Sequence, residues 1–119
     1  MKKFLKSANH ALNGVRETIR KERNFKIQLV FGFIIILLSI FLKIPKIELI
    51  IIIFICSFVL ILEMINSVIE RLVDQLSSKH NKEYGKIKDI MAGAVLFSAI
   101  LAVIIGILIL YKPLLNLIF

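Results

Sequence analysis

The chain has 119 residues, 59% of them hydrophobic, and a mean hydropathy of +0.91. It is too short for two soluble domains and too apolar for one ordinary globule, so the composition points to a membrane protein. A formal charge of +8 would suit nucleic acid, but no basic stripe interleaved with stacking aromatics appears, which argues against such a partner.

In chain order, the first element is amphipathic. Leu5, Ala8, Leu12, Val15 and Ile19 recur at intervals of three and four, with Lys6, Asn9, Asn13, Arg16 and Arg20 on other faces. That pattern predicts a helix over about residues 1–24 lying in the bilayer interface, its cations toward the headgroups. The segment lacks the short apolar core and small-residue cleavage site of a signal peptide and is expected to stay attached. Simple anchoring accounts for this stripe as well as any chemistry does.

Three apolar runs follow: Ile27 to Leu42, Leu49 to Ile69 with Glu63 as its sole charge, and Ile90 to Tyr111. About 20 residues at 1.5 Å each cross a hydrocarbon core of roughly 30 Å, so three spans are predicted, at 27–43, 47–76 and 88–111. Lys26 and Lys43 can snorkel and close the gap for the short first span. The few residues of "KIPKIE", with Pro45, make spans one and two an antiparallel hairpin. "MINSVIERLVDQL" then carries the second span beyond the membrane as far as "SSKHNKEYG". In the third span Ala94, Ser98, Ala102 and Gly106 form a small-residue ridge, which favours close helix packing and an oligomer. Cys56, the single cysteine, has no partner for an internal disulfide and reads as a small apolar residue.

Half of the lysines and arginines precede the first span, and most of the rest lie between Arg71 and Lys88. By the positive-inside rule the N-terminus and the second loop are cytoplasmic, with "KIPKIE" and the C-terminus outside. Topology and attraction to anionic lipid thus account for the basicity.

Glu63, Asn66, Glu70 and Asp74 are spaced by three, four and four, which places them on one narrow helix face. Counted from Ile47, Glu63 lies about 24 Å along the helix, just inside the cytoplasmic edge of the hydrocarbon, and Glu70 about 10 Å farther out. A carboxylate at full membrane depth costs about 2.5–3.5 kcal/mol, so Glu63 needs a partner or a task. "RKERN" (residues 20–24) and "KIKD" (residues 86–89) reach the same level. Carboxylates there suit Mg²⁺ together with phosphate oxygens, and the nearby cations suit developing phosphate charge. The combination describes phosphoryl transfer, without any P-loop or kinase glycine loop. A small cation channel lined by Glu63 and Asn66 would explain the buried acid but not the flanking clusters.

The segment "EMINSVIERLVD", with "KD" at 88–89 and "AGAVL" at 92–96, resembles the small integral-membrane prokaryotic diacylglycerol kinase family. "FLKSANHALNGV" and "ERNFKI" extend the likeness over nearly the whole chain, and "ERN", "KH" and "KD" are more similar to the Gram-positive branch, whose members phosphorylate undecaprenol. The resemblance implies an all-α homotrimer of three-span subunits, each with a surface helix, that uses Mg²⁺ and ATP at the cytoplasmic interface of a bacterial plasma membrane. It implies that Glu63 is the general base and that Asn66 orients the reacting groups. It also implies that Glu22 and Glu70 bind the metal, and that Lys88, Asp89, Lys79, His80 and His10 contact the nucleotide. An ordinary interfacial role fits His10 and His80 as well. Asp74 suits either a nucleotide contact or an ion pair with Arg71 or a neighbouring lysine, and Glu17 reads as a solvated charge. The implied reaction is phosphorylation of a membrane lipid alcohol, undecaprenol first and diacylglycerol second.

Overall fold

The computed structural model describes residues 1–76 and 81–119, so the candidates Lys79 and His80 lie outside the described residues. The elements run α1 (Lys2–Lys21), α2 (Arg23–Phe41), α3 (Lys46–Leu76) and α4 (Lys82–Ile118). Helices α2, α3 and α4 are each long and apolar enough to cross a membrane. The protein is therefore an all-α, multi-pass membrane protein with a preceding amphipathic helix.

Helix α1 ends on Arg20 and Lys21, cations placed where a helix C-terminus is negative. Its apolar stripe faces outward from the protomer, with Leu5 and Leu12 both more than half exposed, as an element resting in an acyl boundary requires. Thr18 is the buried residue of α1, and its hydroxyl donates to the Gly14 carbonyl at 2.9 Å. Helices α1 and α2 meet at a single extended residue, Glu22, with φ −100° and ψ 107°. Neither Gly nor Pro marks this break. The Glu22 N–H donates to the Thr18 carbonyl at 2.9 Å while its carbonyl accepts from Lys26 N–H at 3.2 Å. Both helices thus use Glu22 to close their ends, so the break leaves its backbone groups bonded.

The α2–α3 turn is closed by Lys43, which adopts φ 54° and supplies the left-handed residue that often ends a helix. Pro45 follows, where its missing N–H costs nothing because the first N–H groups of a helix have no partner within it. Helix α3 then runs 31 residues without Gly or Pro, about 46 Å. Helix α4 starts at Lys82, where the Asn81 side chain caps it by accepting from Glu83 N–H at 2.9 Å.

Helix α3 packs against both α2 and α4, and α1 rests on α2. The core is a thin seam along α3 that includes Ile52, Ile55, Val59 and Val73, with Phe25 and Val95 from its neighbours. Close approach between helices falls at Gly32, where an added Cβ would sit 3.5 Å from the Cys56 Cβ. The small-residue ridge is divided: Ser98 is buried, whereas its glycine stands open. A Cβ at Gly106 would meet nothing within 4 Å, and the Ser98 hydroxyl donates to its own helix at the Val95 carbonyl, 2.7 Å away. Ala102 and Gly106 instead border a groove of about 630 Å³ between α2 and α4. Gly32→Ala is accordingly expected to hold or raise thermal stability in detergent, since the new methyl meets Cys56 at an ordinary contact distance and Ala favours helix by about 1 kcal/mol. Gly32→Ile, whose branched carbons must push the helices apart or distort, is expected to lower it by about 1–3 kcal/mol; a thermal-aggregation series checks both.

Candidate active site

The stripe read from the sequence is graded by depth. Glu63 is 5% exposed, Asn66 8% and Ser67 6%, whereas Glu70 is half-buried and Asp74 is exposed. A helix of even rise produces this gradient because each turn carries the polar face about 5.4 Å farther from the apolar seam.

The break at Glu22 brings a second carboxylate to the stripe. The Ser67 hydroxyl donates to Glu22 Oε1 at 2.6 Å, linking α3 to the joint of α1 and α2. The bond is charge-assisted, so it is both short and strong. Arg71 Nη2 lies 3.5 Å from the same oxygen, and its Nη1 lies 4.0 Å from Glu17 Oε1. Partly exposed pairs of this kind are worth at most about 1 kcal/mol, so Arg71 sets where Glu22 points more than it sets stability. Glu17 also accepts from Lys21 Nζ at 2.7 Å, and that bond, reinforced by the charges of Lys21, Arg20 and Arg71, holds its carboxyl below the usual range. The Arg71 contact to Glu17 therefore persists into mildly acidic conditions.

On the membrane side, Asn66 Nδ2 donates to Glu70 Oε1 at 3.3 Å, which fixes the amide one turn from the acid. The groups that bear on Glu63 are the neighbouring Gln28 side chain and the charges of Glu70 and Glu22. Glu22, Glu63, Asn66 and Glu70 are thus brought together. Lys88 is placed differently: its Nζ is 2.6 Å from Asp74 Oδ1, tying the start of α4 to the end of α3. Of the two ion pairs open to Asp74, the one with a lysine is formed and the one with Arg71 is not. Asp89 is exposed beside it, and His10 is exposed on α1 about two turns before Glu17; neither makes a hydrogen bond to these groups among the described residues.

Four contributors escaped the sequence reading. Ser67 follows Asn66 directly, and its burial was the missing clue. Glu17 reads as a solvated charge and Arg71 as a partner for Asp74, but the two are joined across α1 and α3, beside a cavity of about 220 Å³ that Gly14, Thr18 and Met64 also line. Gln28 was absorbed into the uncharged run of the first span. A lone amide in such a run was the available signal.

Among the described residues no three acidic, His or Cys side chains form a metal cage. The donor set nevertheless fits Mg²⁺, which commonly takes one or two protein carboxylates and completes its octahedron with waters and phosphate oxygens. Glu22 and Glu70 are each held through Oε1 by a neighbouring donor, as metal-binding carboxylates commonly are.

Several known proteins are similar to this chain. An undecaprenol kinase of Bacillus subtilis is 35% identical over 109 residues, covering 92% of this chain and 89% of the relative. A diacylglycerol kinase of Synechocystis is 36% identical over 115 residues, 96% of this chain and 66% of the longer relative. A diacylglycerol kinase of Escherichia coli is 29% identical over 102 residues, 86% of this chain and 84% of the relative. The family model described as prokaryotic diacylglycerol kinase matches residues 9–110, which takes in every residue of the cluster, and the chain belongs to that family.

Proposed function

We propose that the chain transfers the γ-phosphoryl group of ATP to the hydroxyl of a membrane lipid, with undecaprenol as the first acceptor and diacylglycerol as the second. The observation that carries this reading is the depth order on one helix face: a buried Glu63 one turn beyond Val59, which lines the apolar groove, then Asn66, then Glu70 linked through the same cluster to Glu22. A lipid hydroxyl arrives from the apolar side and a triphosphate from the aqueous side.

In the reaction Glu63 accepts the proton of the lipid hydroxyl as its oxygen bonds to the γ-phosphorus, and the bond from that phosphorus to the β–γ bridging oxygen breaks to release ADP. Asn66 orients the reacting groups. Glu22 and Glu70 would hold Mg²⁺, which when bound neutralises charge on the phosphate oxygens. Lys88 and Asp89 contact the nucleotide, with Lys79, His80 and His10 as further contacts. Lys88 is available for this because its pair with Asp74 has side chains 36% and 65% exposed, and such pairs cost little to exchange.

The subunits assemble as a trimer in a bacterial plasma membrane, with the N-terminus and the α3–α4 connection cytoplasmic and the C-terminus outside. Each chain is one catalytic domain, comprising a surface helix at 1–24 and spans at 27–43, 47–76 and 88–111. Support for assembly comes from the spans themselves, of which only 11%, 22% and 17% is buried within one protomer, leaving most of each helix to lipid or to other copies. Undecaprenol is preferred on the "ERN" and "KD" segments; overall identity does not separate the two lipids, since the undecaprenol and Synechocystis diacylglycerol kinases match almost equally.

Parallel assays in detergent, with each lipid and Mg²⁺-ATP, test this reading. Undecaprenol is expected to turn over faster, and equal or faster diacylglycerol turnover would reverse the acceptor order. Ion flux without lipid-dependent ATP consumption would replace the kinase with a channel.

A further inference from the structure

We propose that Gln28 is the positioning residue of the active site: its amide N–H₂ donates to the Glu63 carboxylate and holds it in the rotamer that faces the acceptor hydroxyl. The inference rests on the kinase reading above, in which Glu63 is the base.

Two fixed contacts bracket the pair. On the cytoplasmic side Ser67 meets Glu22 at 2.6 Å; deeper in the bilayer, Gly32 backs onto Cys56. Antiparallel helices held at these points bring Gln28, one turn before Gly32, within a turn of Glu63, which lies two turns after Cys56 on the same face. Gln28 also lines the inner end of the α2–α4 groove, whose wall is otherwise almost entirely apolar. It therefore stands where the groove meets the base.

The chemistry of the amide fixes its orientation. Its carbonyl would repel the carboxylate, so the N–H₂ end faces Glu63, leaving Gln28 Oε1 buried and without a partner among the described residues. An unsatisfied buried carbonyl costs about 1–3 kcal/mol, a penalty that Leu or Met at this position would avoid. A Gln here is explained by what its donor end does. A Lys would pair with Glu63 and quench its basicity, while Met would leave the carboxylate free to rotate; a neutral donor orients the base and leaves it able to take a proton.

The test uses the full-length protein in mixed micelles with undecaprenol and Mg²⁺-ATP, following label transfer from γ-phosphate to lipid. Gln28→Met, similar in shape but without donors, is expected to lower kcat about 10- to 30-fold with KM for both substrates changed less than about 3-fold. Combined with Glu63→Asp, which shortens the base but keeps a carboxylate, it should cost less than about 3-fold more, because the two residues act as one unit. Unchanged elution and helix content accompany this result. If Gln28→Met fails to accumulate, Gln28→Asn, which withdraws the amide by one methylene, carries the same test. A Gln28→Met enzyme within about 2-fold of the unaltered chain, or one losing the same factor in both backgrounds, overturns the proposal. Glu63→Gln is assayed alongside: if that variant is active, the base assignment falls and this inference with it, whereas an inactive Glu63→Gln beside an active Gln28→Met sinks the positioning role alone.

Discussion

Replacing Glu63 by glutamine is expected to lower lipid phosphorylation by about 10²–10⁴-fold, the range for loss of a general base, while assembly and helix content stay intact. The substitution keeps the volume of a side chain that is 5% exposed, so packing on α3 is undisturbed. It also removes a charge from the membrane boundary, where a carboxylate is costly. A base and a structural link therefore predict different outcomes. If Glu63 served only to bind α2 through Gln28, a glutamine could still hydrogen-bond, and activity would follow stability. If it takes the proton, activity collapses while the folded protein is as stable as before or more so. Activity measured beside thermal unfolding in the same detergent separates the two, and retention of most of the turnover by Glu63→Gln removes the base assignment.

Glu22→Gln and Glu70→Gln are each expected to raise the Mg²⁺ concentration required for half-maximal rate by at least about 10-fold, since each removes one of two proposed carboxylate ligands. The two should differ in what else they disturb. Glu22 is held by Ser67 and Arg71 at the joint of α1 and α2, so its loss also loosens the surface helix. Glu70 is held by Asn66 within α3, so its loss stays local. Ser67→Ala, which removes the support and keeps both ligands, should weaken metal use less than Glu22→Gln does. Mn²⁺ binding in the presence of a non-hydrolysable ATP analogue, read by electron paramagnetic resonance, checks affinity independently of turnover. Unchanged Mn²⁺ affinity in both glutamine variants would remove the metal assignment.

The three spans were legible because the bilayer fixes a minimum apolar length, and the run from Leu49 to Ile69 meets it. The stripe of Glu63, Asn66 and Glu70 was legible because helical periodicity is local: one segment carries it all. What crosses between helices was not. Ser67 reaches Glu22 across 45 positions of sequence, and no pattern within α3 announces that distance. Gln28 was hidden because a single amide barely changes the hydropathy of its run. The helix break at Glu22 was hidden because no Gly or Pro announces it; Lys21 and Arg23 on either side are ordinary helix formers. The ridge ending at Gly106 left its partner open for a related reason, since small residues permit close approach without dictating which neighbour makes it.

Helix α3 has no kink-prone residue between Lys46 and Leu76, which gives it the character of a ruler. From Glu63 to Asp74 its rise is about 16 Å, and the span between the proposed base and the exposed end of the stripe is not shortened by a kink. On the proposed reading an acceptor's hydroxyl must come to the level of Glu63, whatever its tail.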